Sequence, residues 1–137
     1  MKRYEPVEHT ADIGIKVYGK DLPELFSNAA FGMFDNIAEL KFFKPTKKID
    51  VTLKESNINE LLVSWLRELL YKYIFNGLIV VETKISKLKD NKIRAEISCA
   101  EIKDKSKIKK DIKAVTYHGL EVKQNKSGYE VQVIFDV

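Results

Sequence analysis

The chain contains two segments whose apolar residues recur at the three-four spacing of an amphipathic helix, which limits what it can fold into. The first follows Asp21, an N-cap candidate, with Pro23 in the first turn and Glu24 three residues after the cap. Its apolar stripe consists of Leu22, Leu25, Phe26, Ala29, Ala30, Met33, Phe34 and Ile37. This pattern predicts a helix that buries one broad face.

The second segment has the same construction. Asn57 and Glu60 form a capping-box candidate, and Gly77 is the residue expected to end the helix in a left-handed conformation. Its stripe consists of Leu61, Leu62, Trp65, Leu66, Leu69, Leu70 and Tyr73. We therefore expect two helices whose apolar faces cover a common core.

Most of the other patterned segments alternate apolar and polar residues, as strands do. We expect strands at 9–18, 47–53, 78–88, 93–99, 114–122 and 129–136. Asp90-Asn91 and Ser127-Gly128 are predicted turns, and Gly119 a kink within the fifth strand. The order β-α-β-α-β-β-β-β predicts one α+β domain over residues 1–137, with the two helices covering a mixed, mostly antiparallel sheet.

Composition narrows the class of protein. A chain of 137 residues with 45% hydrophobic residues can bury a core without disulfides or metal. Its single cysteine, Cys99, lies on the apolar face of a predicted strand, so we expect a buried, inert thiol. The sequence shows no signal peptide and no apolar run long enough to span a membrane, so we expect a cytoplasmic protein. The net charge of +4 permits an acidic partner, either RNA or protein.

An unusual group of polar residues stands where the first strand is expected to begin. Glu8, His9, Thr10 and Asp12 fall within five residues, although Asp is disfavoured inside strands. Asp12 also falls on the face opposite Ile13. Two interpretations stay open: a turn acid beside a hydrogen-bonded histidine, or a carboxylate held at the rim of a sheet for a cation or a partner's lysine.

The last residues form a second unusual group, because a patterned strand runs to the final residue. Asp136 lies on the face opposite Phe135, and the main-chain carboxylate of Val137 adds a second charge. If sheet pairing brings Asp12 close, these groups make an oxygen-only cation site, which suits Ca²⁺ or Mg²⁺ rather than zinc.

A third group lies on the strand expected at 114–122, which carries Tyr117 and His118 and follows Lys113. These residues could belong to a functional site, or they could form an ordinary amphipathic strand with solvated charges. Signatures such as the P-loop, GxGxxG, HExxH, GxSxG and CxxC are absent from the sequence, and we assign no catalytic residue.

The stretch 101–113 carries six lysines against three acids, and neither strand nor helix periodicity is strong there. We expect a mobile loop or a frayed short helix. It could contact a phosphate backbone, but the aromatic residues elsewhere fall on core stripes, so a solvated loop is the favoured interpretation.

Five segments together resemble the archease family. They are E-H-T-A-D-I-G-I at 8–15, L-F-S-N-A-A-F-G-M-F-D at 25–35, E-L-L-V-S-W-L-R-E-L-L-Y at 60–71, K-A-V-T-Y-H-G-L-E-V at 113–122 and V-I-F-D-V at 133–137. H-T-A-D-I-G and K-A-V-T-Y-H-G are the specific ones. One departure is that many archeases carry a Gly-Glu pair and a nearby histidine where this chain has Ala100-Glu101 and a lysine-rich stretch.

The resemblance implies a protein without a reaction of its own that acts on an RtcB-type tRNA-splicing ligase. It would promote guanylylation of the ligase's active-site histidine and multiple turnover. The alternative is an RNA-binding or chaperone-like module that modulates RNA-processing proteins, and RNA contact in the first case would be indirect or weak.

The resemblance also implies a set of functional residues. Asp12, Asp136 and Val137 would hold a divalent cation, Ca²⁺ in most descriptions of the family, with Mg²⁺ or Mn²⁺ as alternatives. Lys113 would be a further functional position. We add His9 and His118 as candidate residues that serve the partner.

Overall fold

Both predicted helices are present in the computed structural model, which describes residues 2–8 and 12–137. Helix α1 spans Leu22–Ile37 and α2 spans Ile58–Asn76. The side chain of Asp21 accepts from the backbone N–H of Glu24 at 2.9 Å, and that of Asn57 from Glu60 at 2.9 Å. Gly77 ends α2 at φ 64°, so the capping signals are confirmed at both helices.

The strands form two antiparallel sheets. In chain order they are β1 (Tyr4–Val7), β2 (Ile13–Gly19), β3 (Lys47–Lys54), β4 (Leu78–Lys89), β5 (Lys92–Glu101), β6 (Ala114–Val115), β7 (Lys123–Asn125) and β8 (Gly128–Asp136). One sheet has the order β1-β2-β8-β6, with β7 also paired to β8, and the other has the order β3-β5-β4. The α+β class is confirmed, but the strands are divided between two sheets rather than gathered in one.

The core lies where the helices meet these sheets. Helix α1 contacts β2 and β4, while α2 contacts β3, β4 and β6. Trp65 is fully buried, and its indole N–H donates to the carbonyl of Phe26 at 3.0 Å, which joins α2 to α1. Cys99 is buried as predicted, and burial raises the pKa of its thiol. No helix within residues 2–8 and 12–137 is both long and apolar enough to cross a membrane.

The N-terminal part of the chain differs from the prediction at two strands. Strand β1 was missed because its four residues include Pro6 and show no clean alternation of buried and exposed positions. The strand expected at 9–18 begins at Ile13; residues 9–11 of that prediction lie outside the described residues.

The long strand expected at 114–122 is wrong. Pairing with β8 ends at Val115, after which only the N–H of Thr116 still donates to Ile134, at 3.0 Å. The N–H of Leu120 then donates to the carbonyl of Tyr117 at 3.1 Å, and Gly119 adopts φ 65°. The glycine that the sequence suggested as a kink therefore belongs to a turn that ends the strand.

The lysine-rich stretch also differs from the mobile loop that was expected. The other expectation was a short helix. Helical structure within this stretch is limited to a single 3₁₀ turn at Lys105–Lys107. The N–H of Ile102 donates to the carbonyl of Gly77 at 2.9 Å, and that of Lys109 donates to Ile37 at 2.7 Å. Ile112 is fully buried. Isoleucines and long-range hydrogen bonds thus attach a highly charged segment to the core.

Candidate functional site

Three strands of the first sheet lead to four of the predicted functional residues: Asp12, Lys113, Asp136 and Val137. Ile13 of β2 lies opposite Phe135 of β8, so continuing this antiparallel register by one residue places Asp12 opposite Asp136. On the other side of β8, Ala114 lies opposite Asp136. The backbone N–H of Lys113 donates to the carbonyl of Asp136 at 2.8 Å, which fixes Lys113 beside the end of β8.

A shallow depression opens at this edge. It has a volume of about 470 Å³ and is lined by Asp12, Ile13, Lys110, Asp111, Lys113 and Val137. Asp12 is half-buried, whereas Lys113 and Val137 are exposed. Asp136 is exposed as well, on the face of β8 opposite the fully buried Phe135. Asp136 is therefore not part of the lining of the depression, although its neighbour Val137 is.

The donor chemistry of this edge fits a hard divalent cation. Asp12, Asp136 and the main chain of Val137 offer only oxygens as ligands, and oxygens are the ligands that such a cation prefers. Within residues 2–8 and 12–137, no three His, Cys, Asp or Glu side chains come close enough to hold a metal ion. Since Ca²⁺ takes six to eight oxygen ligands, water or a partner's groups would have to supply part of its coordination shell.

The two predicted histidines have different outcomes. His9 lies outside the described residues. His118 is exposed in the turn after β6, and its backbone N–H donates to the hydroxyl of Thr116 at 3.3 Å. His118 is not among the described residues that line the depression, so the structure does not bring it to this edge.

Lys110 and Asp111 line the same depression, and sequence reasoning missed them. The hydroxyl of Tyr73 donates to the carboxylate of Asp111 at 2.8 Å, which ties the segment to α2. Burial, together with this carboxylate, raises the pKa of Tyr73 to about 12. The available signal was the pair Asp111-Ile112, since an apolar residue inside a charged run indicates an anchoring point.

Sequence reasoning also misplaced several aromatic side chains that it had assigned to core stripes. Tyr71, Phe75 and Tyr117 are exposed. The guanidinium of Arg67 lies 4.8 Å from the centre of the Tyr117 ring and donates to the carbonyl of Val115 at 3.3 Å. The exposed surface of α2 and of the turn after β6 is therefore more aromatic than was expected.

Comparison with known proteins identifies the family of this chain. The model of the Archease protein family (MTH1598/TM1083) matches residues 4–137. The chain belongs to the archease family. It is 33% identical to Protein archease of Methanosarcina barkeri, over 99% of this chain and 97% of that one. It is 35% identical to Protein archease of Thermococcus kodakarensis, over 93% of each chain.

Solved archease-type structures show the same fold. The solution structure of Methanobacterium thermoautotrophicum protein 1598 superposes with a TM-score of 0.80 at 29% identity and covers all of both chains. A crystal structure from Thermotoga maritima, described as that of an archease and possible chaperone, superposes with a TM-score of 0.67 at 21% identity. It covers 97% of this chain and 96% of that one. The α+β architecture is therefore the architecture of the family.

Proposed function

We propose that this archease-family protein activates an RtcB-type tRNA-splicing ligase, promoting guanylylation of the ligase's active-site histidine and its multiple turnover. The chain has no reaction of its own in this proposal. Family membership supports it, and the observation that carries it is the register of β2, β8 and β6. With Ile13 opposite Phe135 and Ala114 opposite Asp136, that register supports a shared site for Asp12, Asp136, Val137 and Lys113.

The residues at this edge have two roles in the proposal, cation binding and a charge contact to the partner. Asp12, Asp136 and the Val137 carboxylate hold a divalent cation, Ca²⁺ in the first instance and Mg²⁺ or Mn²⁺ as alternatives. A cation bound here would screen nucleotide phosphates and so favour attack by the ligase histidine. Lys113 presents a second positive charge within the same depression, where it can contact a phosphate or an acidic side chain of the ligase.

The test is a guanylylation and multiple-turnover ligation assay with the ligase, with and without the protein. We expect Asp12→Ala and Asp136→Ala to reduce stimulation to the level without protein, because each removes a cation ligand. Lys113→Ala should reduce it by about tenfold, since a charge contact to the partner is lost. Glu121→Ala, which removes an exposed carboxylate away from this edge, is the matched control and should stimulate normally.

Circular dichroism and thermal melting establish that each variant is folded. Normal stimulation by folded Asp12→Ala or Asp136→Ala would contradict the assignment of the site. Turnover of phosphate-ester substrates by this protein without any ligase would contradict the accessory role.

A further inference from the structure

An open groove lies next to the candidate cation edge. It has a volume of about 880 Å³ and runs between the C-terminal end of α2 and the 102–113 segment. Lys110, Asp111 and Lys113 line both this groove and the depression beside Asp12. A molecule seated in the groove would therefore reach the candidate site.

The lining of the groove combines an apolar base with a basic rim. Ile112 is fully buried, and Ile102 and Ile108 are half-buried. The lysines of the lining are exposed: Lys105, Lys109, Lys110 and Lys113. The acidic residue of the lining, Asp111, is already engaged by the Tyr73 hydroxyl. The groove thus presents a net positive rim around aliphatic surface.

The last turns of α2 extend this apolar surface into solvent. Ile74 lines the groove and is 40% exposed, and the neighbouring Tyr71 and Phe75 are 44% and 74% exposed. Their rings contact each other, with centroids 5.5 Å apart. Large apolar side chains clustered on an exposed helix face mark an interaction surface more often than a solvated one.

We propose that this groove docks a protein partner through apolar side chains flanked by Asp or Glu. The proposal rests on the function proposed above, so the partner is the ligase. Charge complementarity selects this occupant: acidic residues pair with the lysine rim, and an apolar anchor covers the isoleucines.

Other occupants fit less well. A second copy in a two-fold contact would bring the same lysine rims face to face, where like charges repel. Single-stranded nucleic acid would suit the lysines, but it needs flat aromatic platforms for its bases. Tyr71 and Phe75 instead contact each other at 55°. Isoleucines line the groove beside them, together with Tyr73, whose hydroxyl is bonded to Asp111.

The test measures the affinity of the full chain for the ligase by titration calorimetry. We expect the double variants Ile74→Ser/Phe75→Ser and Lys105→Glu/Lys109→Glu each to weaken binding by about tenfold or more. Two controls make changes of the same kind outside the groove and should bind within about twofold of wild type. Phe42→Ser replaces an aromatic that is 52% exposed outside the groove, and Lys89→Glu/Lys126→Glu reverses two exposed lysines.

A second measurement needs no variant: amide hydrogen exchange of the wild-type chain should slow in the 102–113 segment when the ligase is added. If wild type stimulates the ligase while both groove variants bind normally and the segment stays unprotected, the docking proposal is overturned and the proposed function stands. No binding of wild type to the ligase overturns both. If the groove variants instead lose binding to a single-stranded RNA oligonucleotide and still bind the ligase, the docking proposal is overturned and the groove binds nucleic acid.

Discussion

Replacing Ile112 by alanine tests whether the lysine-rich segment is held in place by its buried isoleucine. The substitution removes three carbons from a fully buried side chain, which at roughly 0.8 kcal/mol per buried methylene amounts to about 2 to 3 kcal/mol. A residual cavity adds to this cost within the range of about 2 to 5 kcal/mol seen for such changes. Because the segment is joined to the core by only a few hydrogen bonds, we expect most of this cost to appear as local opening.

Amide hydrogen exchange resolved by residue measures this opening. The N–H of Lys109 donates to Ile37 at 2.7 Å and that of Lys113 to Asp136 at 2.8 Å, so both report on attachment. A loss of 2 to 3 kcal/mol corresponds to exchange about 30- to 150-fold faster at these amides. Stimulation of the ligase should fall as well, because Lys113 is no longer fixed beside β8.

The matched control is Ile93→Ala, which truncates another fully buried isoleucine, in β5 and away from the segment. It should lower global stability without a selective effect on the Lys109 and Lys113 amides. The reasoning is refuted if Ile112→Ala leaves these two amides as protected as the control does, because the segment would then be held by something other than the isoleucine.

Three further predictions concern helix α2 and the contacts that it makes. Trp65→Phe removes the hydrogen bond to the buried carbonyl of Phe26 and should lower the free energy of unfolding by about 1 to 3 kcal/mol in urea denaturation. Gly77→Ala places a side chain at φ 64° and should cost about 1 to 2 kcal/mol by the same measurement, although the space around it is open. The pKa of Tyr73 is raised to about 12, so its stabilisation is present below pH 10 and is lost as the pH rises from 10 to 12. Tyr73→Phe should flatten that part of the stability profile measured by chemical denaturation, and an unchanged profile would argue against the raised pKa, which follows first from burial and then from the contact with Asp111.

The helices were predictable because their signals are local. Caps such as Asp21 and Asn57 act on backbone groups three residues away, so the sequence contains both partners of each hydrogen bond. The hairpin at Asp90-Asn91 is local in the same sense, and both residues adopt positive φ, 54° and 58°. The alternation of β5 likewise indicated which of its side chains are buried.

The course of the chain after β5 was not predictable, because its partners are distant. The lysine-rich segment bonds to the carbonyls of Ile37 and Gly77, which nothing in its own pattern indicates. The alternation after Ala114 suggested a long strand, yet a strand needs a neighbour, and β8 pairs with only two of these residues. Local pattern identifies a face that could pair, whereas tertiary structure decides how much of it does.

The candidate site was predictable in part for the same reasons. Asp12 and Asp136 stood out because an acid at the end of an apolar strand has no packing role, and each of them adjoins the last residue pair of β2 and β8, Ile13 and Phe135. Asp111 was missed because it reaches the depression through the attachment of its segment to α2. The groove was missed because it forms only where the 102–113 segment attaches next to the C-terminal end of α2.

The central claim is that Asp12 and Asp136 hold a divalent cation together, and calorimetric titration of the protein with Ca²⁺ alone tests it most directly. We predict one bound ion in wild type, binding weakened by at least about tenfold in Asp12→Asn and Asp136→Asn, and normal binding in Glu121→Gln. Unchanged Ca²⁺ binding in the folded Asp12→Asn/Asp136→Asn double variant would contradict the account.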